Sequence, residues 1–326
     1  MNTEELKKIV NNFNKTKILV IGDLMLDRFI NGEVSRISPE APVPVVDVTS
    51  ENFRLGGAGN AISNIRTLGG NVVAVGVVGD DWYGLKLIYL LEQNKVNTDC
   101  VIISKDRPTT LKTRVVSGQQ HILRIDWEKR DAINSECTKT ILDYLHKIIG
   151  DLDALFISDY DKGVVTNELL KELIALAKKS KKPVVVYPKV EHLLDYKGVN
   201  IIITNLQKAS AVTGINQIND TSIRNMGQWL LTHLECDCVL ITRGKEGMLL
   251  FEKNGSVTNL TAIAREVRDE TGAGDTVSSI FALSLASRVT DMKNIATLAN
   301  IAAGIVVGKF GETTVTKDEL KHKICS

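Results

Sequence analysis

The sequence has no excess of either charge. Its 40 lysines and arginines stand against 39 aspartates and glutamates in 326 residues, a formal net charge of +1. That balance gives no overall electrostatic reason to expect nucleic acid or an anionic lipid surface as a partner. No apolar run reaches about 18 residues, the length a membrane-spanning helix needs. The longest candidate, residues 295–310, is broken by Thr297, Asn300 and Lys309. The N-terminus has no basic stretch followed by an apolar core, so no secretory signal is expected. Leu6, Ile9, Val10 and Phe13 are instead spaced for a short amphipathic helix. Cysteine is scarce and odd in number, five in all. It shows no framework spacing, so reduced thiols and a cytoplasmic location are expected. Cys236 and Cys238, two apart before a predicted strand, are expected to share one face. They are expected to pack there, since a zinc site usually needs two spaced pairs. Repeats, low-complexity tracts and linkers are missing too. So are the phosphate-binding G-x-x-x-x-G-K-[ST] and the dinucleotide-binding G-x-G-x-x-G, which leaves P-loop enzymes and dinucleotide-dependent dehydrogenases unsupported.

What is present is a 44% hydrophobic chain, enough to exclude disorder as its dominant state. Short β-branched runs alternate with longer helical ones. Strands are expected at 17–21, 72–77, 154–158, 184–187, 200–204 and 239–242. Helices are expected at 58–68, 85–93, 135–149, 167–179, 221–234, 275–286 and 292–307. This alternation predicts an α/β fold with a mostly parallel sheet covered on both faces. Two β excursions, about 28–48 and 109–126, break the rhythm and suggest a small inserted lid. One α/β domain over 1–326 with that insertion fits better than two tandem domains.

Three glycine-rich motifs carry the chemistry. Asp269-Glu270-Thr271-Gly272-Ala273-Gly274-Asp275-Thr276 opens a helix. Its glycines let the backbone expose successive N–H groups, and the helix N-terminus makes a site for phosphate oxygens. Asp275, in the first turn, is placed to take a proton from an attacking hydroxyl while Gly272, Ala273 and Gly274 form the anion hole. The alternative is that Asp275 only caps the helix. Leu55-Gly56-Gly57-Ala58-Gly59-Asn60 opens another helix, either as a close ligand approach or as a tight turn. Gly22-Asp23-Leu24-Met25-Leu26-Asp27 follows the first strand, where ligands of such sheets bind. Asp23 and Asp27 are there either to grip hydroxyls or as solvated loop acids.

These motifs, in this order, resemble the ribokinase (PfkB) carbohydrate kinases. Ser35–Val46 (SRISPEAPVPVV), Gln119–Asp126, Ser158–Gly163 and Ala302–Lys309 narrow the likeness to the D-glycero-β-D-manno-heptose 7-phosphate kinases. The resemblance runs from about Lys17 to Thr316. It implies a three-layer α/β/α ribokinase-like fold and a β lid that doubles as a homodimer interface. It also implies ATP, Mg²⁺ and phosphorylation of O1 of the heptose 7-phosphate, a step toward activated heptose for lipopolysaccharide or other surface glycans. Asp275 matches the catalytic base, and Asp27, Gly56, Gly57 and Asn60 match the sugar-contacting positions. The nucleotidyltransferase domain fused to this kinase in many bacteria is not expected here. A substrate already bearing a phosphate needs cationic anchors. Arg36, Lys112, Arg114, Arg124 and Lys162 are candidates, the alternative for each being a solvated surface charge.

The chain departs from the family on the nucleotide side, where Lys189, Asn205, Lys208, Thr242, Arg243 and Gly244 are the expected contacts. Tyr187-Pro188-Lys189-Val190 stands where these kinases carry Asp-Pro-Lys-Gly. Asn205-Leu206-Gln207-Lys208 stands where the wider family carries Asn-x-x-Glu, whose glutamate helps organise Mg²⁺. An ammonium cannot replace that carboxylate, although it can contact phosphate as a point charge. The expected activity is therefore a sugar-phosphate kinase with an altered metal site. The alternatives are a weakened paralogue that binds sugar phosphate or nucleotide as a sensor or partner subunit, and a PfkB kinase for another sugar.

Overall fold

The computed structural model describes residues 3–118, 120–263, 271–309 and 313–325. Gln119, Asp269 and Glu270 of the motifs above lie outside the described residues. In chain order the strands are β1 (Lys17–Gly22), β2 (Leu24–Ile37), β3 (Pro44–Gly57), β4 (Asn71–Gly79), β5 (Asn97–Ser104), β6 (Thr110–Ser117), β7 (Gln120–Trp127), β8 (Ala154–Ser158), β9 (Val184–Tyr187), β10 (Ile201–Asn205), β11 (Cys238–Thr242), β12 (Met248–Glu252) and β13 (Val257–Leu260). The helices are α1 (Thr3–Asn12), α2 (Ala58–Thr67), α3 (Trp82–Gln93), α4 (Ser135–Ile148), α5 (Asn167–Lys179), α6 (Leu206–Thr213), α7 (Asp220–Leu234), α8 (Ala273–Ala286), α9 (Met292–Val306) and α10 (Lys317–Cys325). No helix of the described residues is long and apolar enough to cross a membrane.

Nine strands form one sheet in the order β13-β12-β11-β10-β9-β8-β1-β4-β5. Pairing is parallel from β11 to β5 and antiparallel at β12 and β13. The central strands read as continuous apolar runs because both of their faces are covered. Period-two alternation divides their side chains between two layers. Ile18, Val20, Ile201 and Ile203 join Leu6 of α1, Ile62 of α2, Phe281 of α8 and Leu298 of α9. Leu19, Ile21, Ile202 and Val239 join Ile141 of α4, Leu173 of α5 and Leu230 of α7.

The two cysteines expected to share a face do not. Cys236 packs in the second layer and Cys238 in the first. Alternation starts only where the strand does, at Cys238, and Cys236 belongs to the connection before it. Burial pushes both thiols up to about 12, which suits packing and not ligation.

The two β excursions come together as a second, four-stranded sheet in the order β3-β2-β6-β7. Its strands are longer than the sequence suggests, since β2 and β3 run back to the body as far as Leu24 and Gly57. Ser38 N–H donates to the Val43 carbonyl at 2.8 Å and closes the β2–β3 hairpin. Pro39 and Pro42 sit in its turn and Pro44 at the first strand position, where no ladder bond is lost.

Candidate active site

Helix α8 begins at Gly272, which holds φ +81° and has no side chain to cap the helix. The first amides of the helix therefore remain as donors. Asp275 does not cap it. The carboxylate instead turns toward α2 and the loop after β8, accepting from Asn60 Nδ2 at 2.8 Å and from the Tyr160 hydroxyl at 2.8 and 2.9 Å. Asp275 is 3% exposed, and burial raises it to about 6 against the opposing Asn60 and Tyr160 bonds. The orientation of Asn60 is itself fixed. Asn64 Nδ2 donates to the Asn60 carbonyl at 3.0 Å and approaches its Oδ1 at 3.4 Å, while Thr276 Oγ1 donates to Asn64 Oδ1 at 2.9 Å. With Oδ1 facing a donor, the Asn60 NH₂ faces Asp275.

Asp27 lies beside this group. Arg114 pairs with its Oδ1, and its Oδ2 is buried with no hydrogen-bond partner. A Cβ on Gly56 would collide with Oδ2, and a Cβ on Gly57 would lie 2.5 Å from Met25 Cε. The two glycines let the β3–α2 turn pack directly against Asp27 and Met25. Asp23 faces elsewhere. It accepts from the backbone N–H groups of Tyr160, Lys162 and Val164 at 2.8, 3.1 and 3.1 Å, fixing the loop that carries Tyr160. Burial and the neighbouring Asp159 raise Asp23 to about 6. Asp159 completes the anchorage by accepting from Tyr196 at 2.7 Å and meeting His192 Nδ1 at 2.9 Å.

On the other side of α8 lies a cavity of about 940 Å³. Its lining includes Asn205, Thr242, Arg243, Gly244, Ala273 and Gly274. Tyr187 stands at the border between this cavity and Asp275, and a Cβ on Gly274 would collide with its hydroxyl. Lys208 Nζ sits 4.3 Å from the Tyr187 ring centroid and donates to the Pro188 carbonyl at 2.8 Å. Burial and Lys189 lower Lys208 to about 8, against the pull of Asp275. Among the described residues no three His, Cys, Asp or Glu side chains gather as a metal-holding group.

Of the five candidate cations only Arg36 stands apart, and the other four are each paired with a carboxylate. Arg36 lies nine residues along β2 from Asp27, about 30 Å at strand rise, and faces Asp47 at 3.9 Å. Lys112 lies between Asp126 and Glu128 at 3.2 and 3.3 Å. Lys162, largely buried, meets Glu128 at 2.9 Å. Burial opposes ionisation of Glu128, but Lys162 and Lys112 hold it at about 2. Arg114 and Arg124 are directly opposed on β6 and β7. Tyr160 escapes the sequence reading. Tyr160 stands inside the quoted Ser158–Gly163 string, but its contact with Asp275 spans 115 positions.

The pfkB family carbohydrate kinase profile matches residues 15–319. The bifunctional protein HldE of Geobacter sulfurreducens is 41% identical over 320 residues, which are 98% of this chain and 65% of that protein. HldE of Geobacter metallireducens is 42% identical over the same shares. The chain thus spans 65% of the length of these relatives. Among solved structures, Escherichia coli phosphofructokinase-2 in complex with fructose-6-phosphate matches with a TM-score of 0.77 at 18% identity, covering 95% of this chain and 98% of that one. Arabidopsis thaliana ribokinase complexed with ribose and ATP matches with a TM-score of 0.72 at 18% identity and the same coverage. By sequence and by architecture, the chain belongs to the pfkB family of carbohydrate kinases and has the ribokinase-like fold.

Proposed function

We propose that the chain transfers the γ-phosphoryl group of ATP to O1 of D-glycero-D-manno-heptose 7-phosphate, giving the 1,7-bisphosphate for activated-heptose synthesis. The observation that carries the transfer is the placement of Asp275. It is a buried carboxylate raised to about 6, at the uncapped start of α8, beside Asn60 and Asp27 and near a nucleotide-sized cavity lined by the next residues of the same helix. The acceptor rests on the likeness of Ser35–Val46 to the heptose 7-phosphate kinases.

In this reading Asn205, Thr242, Arg243 and Gly244 border the nucleotide, and Asp27, Gly56, Gly57 and Asn60 hold the sugar. Asp275 takes the O1 proton as O1 bonds to the γ-phosphorus. The bond from that phosphorus to the bridging oxygen breaks, and ADP leaves. The α8 amides at Ala273 and Gly274 meet the charge on the transferring oxygens. A base near pKa 6 is ionised at neutral pH and still basic enough to work. Magnesium bound with the nucleotide would screen its phosphates. Tyr187 and Lys208 offer that complex a phenol and an ammonium, so Lys208 serves the phosphate oxygens and not the metal.

The β3-β2-β6-β7 sheet acts as the lid, and its outer face is the homodimer contact in this reading. Leu123, Ile125 and Trp127 alternate along β7 on that face and are all at least half exposed. The test is ADP release from ATP and Mg²⁺ with the heptose 7-phosphate, beside Asp275→Asn. Turnover that needs the heptose and vanishes in the variant supports the kinase. Binding of the heptose phosphate without turnover supports the weakened paralogue instead, the reading favoured by Tyr187 and Lys208.

A further inference from the structure

Tyr160 is flanked in sequence by two aspartates, and both lie against one imidazole. His192 Nδ1 meets Asp159 Oδ2 at 2.9 Å, and its Nε2 faces Asp161 Oδ1 at 3.7 Å. His192 belongs to the 3₁₀ segment Val190–Asp195, which follows Lys189 on the nucleotide side. One ring thus spans the two carboxylates on either side of the tyrosine that holds Asp275.

The loop between those carboxylates has a strained backbone. The N–H groups of Tyr160 and Lys162 converge on a single oxygen, Asp23 Oδ2, at 2.8 and 3.1 Å. Asp161, between them, takes up the left-handed region at φ +56°. A residue with a Cβ keeps that conformation only when its surroundings hold it. Asp161 N–H donates to Asp159 Oδ1 at 2.9 Å, and the Asp161 carboxylate faces His192 and, at 3.8 Å, the exposed Arg130. Asp159 is almost fully buried and has the Tyr196 hydroxyl and His192 on its other oxygen. Burial opposes charge on His192, but Asp159, Asp161 and Asp195 outweigh it and raise the ring above its ordinary value. A protonated ring supplies the charge that a loop with two neighbouring carboxylates needs.

We infer that His192 is a positioning residue for the phosphoryl transfer: braced on Asp159 and Asp161, it holds the loop in the form that aims the Tyr160 hydroxyl at Asp275. The inference rests on the role given to Asp275 above, and it adds a residue that acts on that carboxylate only through Tyr160. With 30% of its side chain exposed, His192 can be replaced without opening a closed cavity.

The test is a double-mutant cycle of His192→Ala and Tyr160→Phe in the full chain, read in two ways. ADP release from ATP and Mg²⁺ with D-glycero-D-manno-heptose 7-phosphate gives kcat and KM. Titration of ¹³C-labelled aspartate carboxyls, with the Asp275 signal assigned by its loss in Asp275→Asn, reports that group without any substrate. Thermal melting checks that each variant folds. His192→Ala is expected to lower kcat about 5- to 10-fold, with KM for ATP near that of the parent. It is also expected to move the Asp275 titration to higher pH, as a loosened Tyr160 bond requires. His192→Asn, whose amide can stand in for Nδ1–H, is expected to retain more of the rate. In the Tyr160→Phe background His192→Ala is expected to change neither kcat nor the titration. The same change in both backgrounds overturns the inference, because a general loosening of the fold or a direct field on Asp275 does not need Tyr160. An unchanged kcat and titration in His192→Ala overturn it as well. No turnover in the parent, with a titration shift that depends on Tyr160, overturns the heptose kinase reading and leaves the coupling of His192 to Asp275 standing.

Discussion

The Tyr160 hydroxyl bridges both carboxylate oxygens of Asp275, at 2.8 and 2.9 Å. This bond favours the charged form and opposes the burial that raises Asp275 to about 6. Tyr160→Phe removes the opposition, so the Asp275 pKa is expected to move up. A base must be deprotonated, so the acid limb of the profile of kcat/KM against pH is expected to shift to higher pH. The loss in rate should be larger at pH 6 than at pH 8. An acid limb at the same pH in variant and parent would show that Tyr160 does not tune this carboxylate.

Asp275→Asn is expected to lower turnover by about 10²–10⁴-fold while nucleotide still binds. Its effect on stability has the opposite sign. A carboxyl raised from 3.8 to about 6 by folding binds protons more tightly in the folded state. It therefore contributes an instability that is absent below about pH 4, grows as pH rises toward 6, and is complete above it. The amide never ionises and escapes that cost. The variant is expected to melt higher than the parent at pH 7.5 and to lose the difference by pH 4, by about 1–3 kcal/mol at the upper end. Melting curves across that range, with ATP binding measured in parallel, check both halves.

Much of this site could be read from sequence because its elements are local. Gly272, Gly274 and Asp275 lie within four residues, and Gly56, Gly57 and Asn60 within five. The central strands could be read because burial on both faces writes them as apolar runs, as in Ile18–Ile21. The outer edge strands could not, and the lid strands could be read only as two β excursions shorter than the strands they form. β13 offers only Val257–Leu260, and β7 (Gln120–Trp127) leaves Leu123 and Ile125 exposed, so hydrophobicity there marks no interior. Cys236 precedes the strand, so the alternation that begins at Cys238 does not assign its face. Tyr160 depends on a contact with Asp275 across 115 positions, for which local pattern has no signal.

Gly56→Ala tests the sugar side without removing a charged group. The added methyl would collide with Asp27 Oδ2 and displace that carboxylate. KM for the sugar phosphate is expected to rise about tenfold or more, in line with the sensitivity of positioned groups to small displacements. KM for ATP should stay near that of the parent, because the nucleotide cavity lies across α8. An equal rise in both would place Gly56 in the fold and not in the sugar site.

Glu128 joins the small sheet to the loop after β8, since it contacts both Lys112 and Lys162. Glu128→Gln leaves the buried Lys162 ammonium without its carboxylate and is expected to lower Tm at neutral pH. The parent should carry a matching pH dependence. The folded pKa of Glu128 lies at about 2, below its ordinary 4.5, so its contribution is present above 4.5 and is lost as pH falls toward 2. The two proteins should therefore converge in stability as pH falls through that window.

Lys208 carries the sharpest departure from the family pattern. Its ammonium is held by the Pro188 carbonyl and the Tyr187 ring, and burial lowers it to about 8. If it serves phosphate oxygens, nucleotide affinity should weaken as pH rises through 8 and the charge is lost. Lys208→Met should remove that alkaline limb and weaken ATP by about tenfold, the range of one charge-assisted hydrogen bond. Lys208→Glu should do more, weakening the free nucleotide further and making binding depend more steeply on Mg²⁺, because a carboxylate needs the cation between itself and the phosphates. ATP titrations at fixed and varied Mg²⁺, from pH 7 to 9, separate the cases. Identical Mg²⁺ curves for Lys208→Glu and the parent would remove Lys208 from the phosphate site altogether, and the nucleotide would then be held by the residues around Asn205 and Thr242 alone.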